Sequence, residues 1–246
     1  MTMPPEFECR REIELPATPE QVWDAVATEA GNAAWLFPNE IGAGEGATTA
    51  GGSVVTAWDP PHRFGVRTEQ GDWFNALEFT IEAREGGRAL LRYAHSGIFV
   101  DDWDTQYDAV GQHTDFYVHT LSEYLQYFGG RAATYVGDVP GGIQGPPSSA
   151  AADSFERLQQ ALGLRPPVGE GASVRLNPEG LEPIDGVIDY ARPNFIGIRT
   201  DDALYRLFGR NAFGGPVGIS IHVFASGTEP DELKRNWKRW MDAALA

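Results

Sequence analysis

The fold turns on one stretch: Trp73-Phe-Asn-Ala-Leu-Glu-Phe-Thr-Ile-Glu82, then Glu85-Gly-Gly87, then Arg88-Ala-Leu-Leu-Arg-Tyr-Ala-His-Ser96. Residues two apart on a strand share a face. One face of the first run therefore carries Trp73, Asn75, Leu77, Phe79 and Ile81, and one face of the second carries Ala89, Leu91, Tyr93 and His95. The diglycine break joins them as an antiparallel hairpin. Beyond it the period changes. Tyr107, Val110, Thr114, Tyr117, Leu121, Tyr124 and Phe128 recur at steps of three and four, which predicts a long helix over 104–128 with an inward aromatic stripe. Asp101, Asp102 and Asp104 suit its N-terminus, where the helix dipole favours negative charge, and Gly129-Gly130 ends it.

Working outward, two more strands are predicted before the hairpin, Ser53–Trp58 and Arg63–Glu69. Phe7–Leu15 alternates Phe7, Cys9, Ile13 and Leu15 against Glu8, Arg10, Glu12 and Glu14, with Arg11 interrupting the apolar face. Thr18, Pro19 and Gln21 form a helix start. The helix is expected to run to Ala30 and stop at Gly31, with a short second helix near 33–37. Residues 1–130 thus read as strand, helix pair, antiparallel strands and long helix, an α+β domain in which a curved sheet wraps the helix.

Residues 131–152, with Pro140-Gly-Gly-Ile-Gln-Gly-Pro-Pro-Ser-Ser-Ala-Ala-Ala152, read as a linker by composition. The same element order then returns in shortened form over 153–246. Pro61-His-Arg-Phe-Gly-Val-Arg-Thr68 matches Pro193-Asn-Phe-Ile-Gly-Ile-Arg-Thr200 at four of eight positions, 132 residues on, and Trp58 and Tyr190 are aromatic at that offset. We expect a tandem duplication with a reduced second copy; an unrelated second α+β domain is the alternative.

Composition narrows function. A chain of 246 residues with 19 basic and 35 acidic side chains carries a formal charge of −16, which disfavours binding to phosphate backbones through a general basic surface. No membrane-length apolar run occurs, and Met1–Arg11 shows no signal pattern. The single cysteine, Cys9, excludes an intramolecular disulfide or cysteine zinc site and suits a cytoplasmic location. Two lysines against 17 arginines suggest a bacterial, high-GC source. No nucleophile elbow, phosphate loop or dinucleotide fingerprint is present, and neither a cofactor nor a metal is expected. His113 and His119 face different sides of the helix. Asp115 and His119 can pair. Glu78 and Arg92 are candidates for a cross-strand pair or, if buried, a ligand clamp.

Thr18-Pro-Glu-Gln-Val-Trp23, Trp35, Gly52, Asp59-Pro-Pro-His-Arg63, Leu77-Glu-Phe-Thr-Ile81 and His95-Ser-Gly-Ile-Phe99, closed by the long helix, resemble the bacterial proteins named after the activator of the large heat-shock chaperone's ATPase, within the START-like SRPBCC superfamily. The resemblance covers about residues 6–128; where that family has Gly-Trp in its last helix, this chain has Gly111-Gln112. It implies a helix-grip fold with an apolar cavity between sheet and helix. We expect a small hydrophobic or aromatic ligand there, lined by some of Trp58, Phe64, Trp73, Asn75, Tyr93, His95, Phe99 and Tyr117, with Gly111 opening space along the helix. The alternative for these rings is simple core packing. Two other functions stand beside ligand binding: a chaperone-linked protein-interaction module, and a cyclase or hydratase acting by general acid–base catalysis through His95 or Tyr93. No catalytic residue is assigned.

Overall fold

A computed structural model describes residues 6–98, 103–139, 150–165 and 167–246. The chain forms two compact units, Met1–Ala132 and Ala133–Ala246.

In the first unit the order is β1 (Glu6–Leu15), α1 (Pro19–Ala27), α2 (Glu29–Trp35), β2 (Val54–Asp59), β3 (Arg63–Gln70), β4 (Trp73–Arg84), β5 (Arg88–Ile98) and α3 (Trp103–Tyr127). The strands make one antiparallel sheet in the order β1-β5-β4-β3-β2. The N-terminal strand thus pairs with the last strand, and α3 packs against β1, α1 and α2. This α+β arrangement agrees with the helix-grip expectation. Leu15, Ile81, Leu91, Phe116 and Leu121 are fully buried in its core.

Thr18 caps α1 as the sequence predicts: its Oγ1 accepts from the Gln21 N–H at 3.4 Å and its own N–H donates to Gln21 Oε1 at 2.9 Å. The end of α1 differs from expectation. Gly31 does not stop it but sits inside α2, and Thr28 divides the two helices. The Thr28 hydroxyl donates to the Asp24 carbonyl at 2.6 Å and accepts from the Gly31 N–H at 3.0 Å, so one side chain ends α1 and caps α2. Gly31 serves close approach instead: a Cβ there would lie 2.0 Å from the Asp24 carbonyl oxygen.

The α3 stripe divides along its length. Leu121, Tyr124 and Phe128 are buried in the core with Phe116 and Leu125. Tyr107 is exposed and donates to the Glu8 carbonyl at 3.4 Å. Arg11, on the inward face of β1, binds α3 through the Asp115 carboxylate and the Gly111 carbonyl. This explains the interruption of the apolar pattern in β1 and gives Asp115 an ion-pair partner on that strand. Arg92 pairs with Glu12 and Glu82 on the exposed sheet face rather than with Glu78, which removes the ligand-clamp reading. Asp101 and Asp102 lie outside the described residues.

The second unit runs β6 (Thr134–Val139), α4 (Ser154–Ala161), β7 (Ser173–Leu176), β8 (Ile184–Arg192), β9 (Phe195–Arg199), β10 (Ala203–Phe208), a 3-10 turn (Arg210–Phe213), β11 (Gly218–Val223) and α5 (Pro230–Ala244). Its sheet order is β6-β11-β10-β9-β8-β7. The stretch read as a linker therefore contains a strand. β6 is short and includes Gly137, and its composition merges with that of the Gly- and Pro-rich run after it. Ile188, Ile198, Leu207, Ile219 and Ile221 pack with Trp237, Met241 and Leu245 in the core.

The two sheets share a local irregularity. Pairing of β2 with β3 skips Thr56, between Val55↔Val66 and Ala57↔Gly65. Pairing of β8 with β9 skips Asp189, between Ile188↔Ile198 and Tyr190↔Gly197. Each is a bulge, one extra residue that bends and twists its strand. In each the extra side chain lies over the facing glycine: a Cβ on Gly65 would be 2.8 Å from Thr56 Oγ1, and one on Gly197 would be 2.3 Å from Asp189 Oδ1. In the second unit that slot holds the buried Arg206–Asp189 ion pair. The turn after β8 is one residue shorter than that after β2, so Trp58, which faces Phe64, corresponds to Ala191, which faces Ile196, and not to Tyr190.

Candidate functional site

In the first unit a cavity of about 330 Å³ lies between the β4–β5 hairpin, the end of α2 and the first half of α3. Strand alternation supplies one wall. Leu77 faces His95 and Phe79 faces Tyr93 in register, and Asn75 lies one pair further on, opposite Gly97. Helical spacing supplies the other: Val110, His113, Thr114, Tyr117 and Val118 share one face of α3. Trp35, Leu36 and Phe37 close the side nearest α2. The Trp35 indole is held by its Nε1–H donating to the Ala25 carbonyl at 2.9 Å, while Phe37 is 48% exposed at the surface.

Polar groups are few and paired. His95 Nε2 lies 2.6 Å from Asn75 Oδ1. Burial pushes the His95 pKa down to about 4, because a charged imidazole loses its hydration there. The ring is therefore neutral near pH 7, with Nε2–H donating to Asn75. The Tyr93 hydroxyl is hydrogen-bonded with Thr114, and its pKa is raised, first of all by burial. His113 Nδ1 lies 2.8 Å from the Ala109 carbonyl. Among the described residues, no Asp, Glu, Lys or Arg lines the cavity.

Of the eight residues expected from sequence, the structure brings four together: Asn75, Tyr93, His95 and Tyr117. Trp58 and Phe64 do not line the cavity. They pack edge-on with Trp23 of α1, at ring-centroid distances of 5.1 Å for Trp58–Trp23 and 6.2 Å for Phe64–Trp23, and Phe64 stacks on Phe79 at 5.8 Å. The core-packing alternative holds for these two because α1 covers that end of the sheet. Trp73 is also absent from the lining; it begins β4 opposite Gln70, at the hairpin end. Phe99 lies outside the described residues. Gly111 does not point into the space, since the nearest neighbour of a Cβ there would be Arg11 Nη2 at 3.8 Å, on the β1 side. Sequence reasoning missed the α2 wall, Trp35 to Phe37, as a site, and missed His113 and Val118. The signal for the last two was present: both fall on the Val110–Thr114–Tyr117 face.

No protein-family model and no curated protein matches this chain. Among solved structures it is similar to protein MLL2253 from Mesorhizobium loti, at 19% identity and a TM-score of 0.42, covering 50% of this chain and 98% of that one. It is similar also to Aha1 from Colwellia psychrerythraea, at 20% identity and a TM-score of 0.39, over 48% of this chain and 96% of that one. DynU16, a protein of the dynemicin biosynthetic locus, aligns over 98% of this chain and 96% of its own, at 13% identity and a TM-score of 0.43. At these scores the fold rests on the strand order and helix placement described above. No helix among the described residues is long and apolar enough to cross a membrane.

Proposed function

We propose that the first unit binds a small, uncharged hydrophobic or aromatic ligand in the cavity between its sheet and α3. The observation that carries this reading is the lining itself: aromatic and aliphatic walls, a few paired polar tips and no formal charge. Ligand pockets have that composition, and about 330 Å³ lies at the small end of their range. A carboxylate entering it would be dehydrated without a cation to meet it.

Catalysis fits less well. A general acid or base works best with a pKa near the working pH, and burial moves His95 down and Tyr93 up, away from neutrality. Docking of a chaperone or other protein also has less support. Phe37, Val54, Tyr107 and Tyr127 are the large hydrophobic residues exposed among those described, and binding faces usually show a contiguous apolar patch.

The order of the first sheet recurs in β6-β11-β10-β9-β8 of the second, which is not reduced but adds β7 at its edge; with the matching bulges at Gly65 and Gly197 this supports a tandem origin for the two units. In the second copy Trp237 and Met241 fill the core under the terminal helix. Binding of the neutral hydrophobic ligand is accordingly assigned to the first copy. The single buried thiol, Cys9, supports a cytoplasmic location.

The test is binding of the neutral fluorescent probe N-phenyl-1-naphthylamine. Val110→Trp places an indole in the cavity. It should abolish the probe's fluorescence gain while circular dichroism shows the fold retained. Undiminished probe binding by the folded variant would overturn the proposal.

A further inference from the structure

The second unit carries its own groove, of about 600 Å³, between α4, the β7–β8 loop and α5. Trp240, Ala161 and Ala243 give it apolar walls, and Asn177, Asn236 and Arg239 supply hydrogen-bond donors. The three alanines at 161, 243 and 244 keep the space between the helices open.

Basic side chains gather on α5, beside the groove. The molecule carries a formal −16, yet both of its lysines, Lys234 and Lys238, fall in α5 with Arg235 and Arg239. All four are exposed, and at 100° per residue they occupy an arc of about 140° that also holds the exposed Asp231 and Asp242. Lys238 pairs with Asp242 at 2.7 Å. Among the described residues, Lys234, Arg235 and Arg239 have no ion-pair partner, whereas Arg10, Arg67, Arg88, Arg92, Arg175 and Arg192 each have at least one. A basic stripe on a helix is ordinarily a solvated face. Here its last member also lines a groove with two side-chain amides and a tryptophan.

We propose that this groove binds a small organic monocarboxylate. The carboxylate sits on the Arg239 guanidinium, whose planar fork suits two carboxylate oxygens, with the Asn236 amide beside it. The apolar body lies along Trp240 and the alanines. Glu179, on the β7–β8 loop side of the same groove, repels a second negative charge and so favours a single-charged head over a phosphate dianion. Lys234 and Arg235 add a local positive field that draws the anion in. This site differs from the first unit's cavity in place and in chemistry.

The experiment is calorimetric titration of the full chain with 2-naphthoate, 2-naphthyl phosphate and 2-naphthol, repeated for Arg239→Gln and for Val110→Trp. Saturable binding of 2-naphthoate is expected. Arg239→Gln should weaken it about tenfold, the scale of one charge-assisted contact, and added salt should weaken it as well. Val110→Trp should leave it unchanged, whatever that variant does to the neutral probe. Equal affinity of wild type and Arg239→Gln would overturn the proposal. So would 2-naphthol binding to Val110→Trp, whose first-unit cavity is blocked, as tightly as the carboxylate does, tighter binding of the phosphate, loss of naphthoate binding in Val110→Trp, or no saturable binding.

Discussion

Asn75 and His95 hold each other diagonally across the β4–β5 hairpin: Asn75 is paired in register with Gly97 and His95 with Leu77, and their side chains meet at 2.6 Å. The contact ties a ring nitrogen to an amide oxygen in a mostly apolar space. It also leaves the buried imidazole neutral, with its Nε2 proton committed to Asn75.

A pH dependence follows. The His95 pKa falls from 6.5 to about 4 in the folded protein, so between these values the unfolded chain binds more protons and stability rises with pH. The contribution is complete above about pH 6.5 and is lost as pH falls toward about 4. Denaturant melts at about pH 7 and about pH 4.5 should show a loss larger in wild type than in His95→Gln by about 1–3 kcal/mol. Identical losses would mean that the imidazole is hydrated in the folded state.

Phe64 tests the division between core and cavity. It is 2% exposed and packs on Trp23, Trp58 and Phe79 without lining the cavity. Phe64→Ala should cost about 3–5 kcal/mol in urea melts, yet at low temperature the folded variant should still bind the neutral probe. A loss under about 1 kcal/mol would contradict the burial described.

Gly111 lies within α3 and faces Arg11 rather than the cavity. A methyl group there meets Arg11 Nη2 at 3.8 Å, an ordinary contact. Gly111→Ala should therefore stabilise the protein by about 0.5–1 kcal/mol through helix propensity, with probe affinity unchanged. Destabilisation, or loss of the probe, would place this side of α3 elsewhere.

Much of the fold was legible because the apolar periods are clean. β3, β4, β5 and α3 begin within a residue of their predicted starts, and the inward faces of β4 and β5 came directly from alternation. What escaped was decided by contacts distant in sequence. Gly31 looks like a helix stop locally, and only the Thr28 hydroxyl and the proximity of Asp24 show it as a packing glycine. Trp58 and Phe64 have the right residue type and strand position for a ligand wall, but Trp23 arrives from α1 to cover them. β6 gives a weak signal by itself and acquires its role by pairing with β11, about 80 residues later.

The glycine between the first two helices reaches further than its neighbours. Because no side chain separates Gly31 from the Asp24 carbonyl, α2 lies close on α1, and the segment it carries, Trp35 to Phe37, stands where it forms a cavity wall. Any bulkier residue at position 31 would meet the Asp24 and Ala25 backbone, so α1 and α2 would have to shift relative to each other. The width of this cavity therefore depends on a helix crossing outside its lining, and variants at position 31 are the ones that should change which probes it admits.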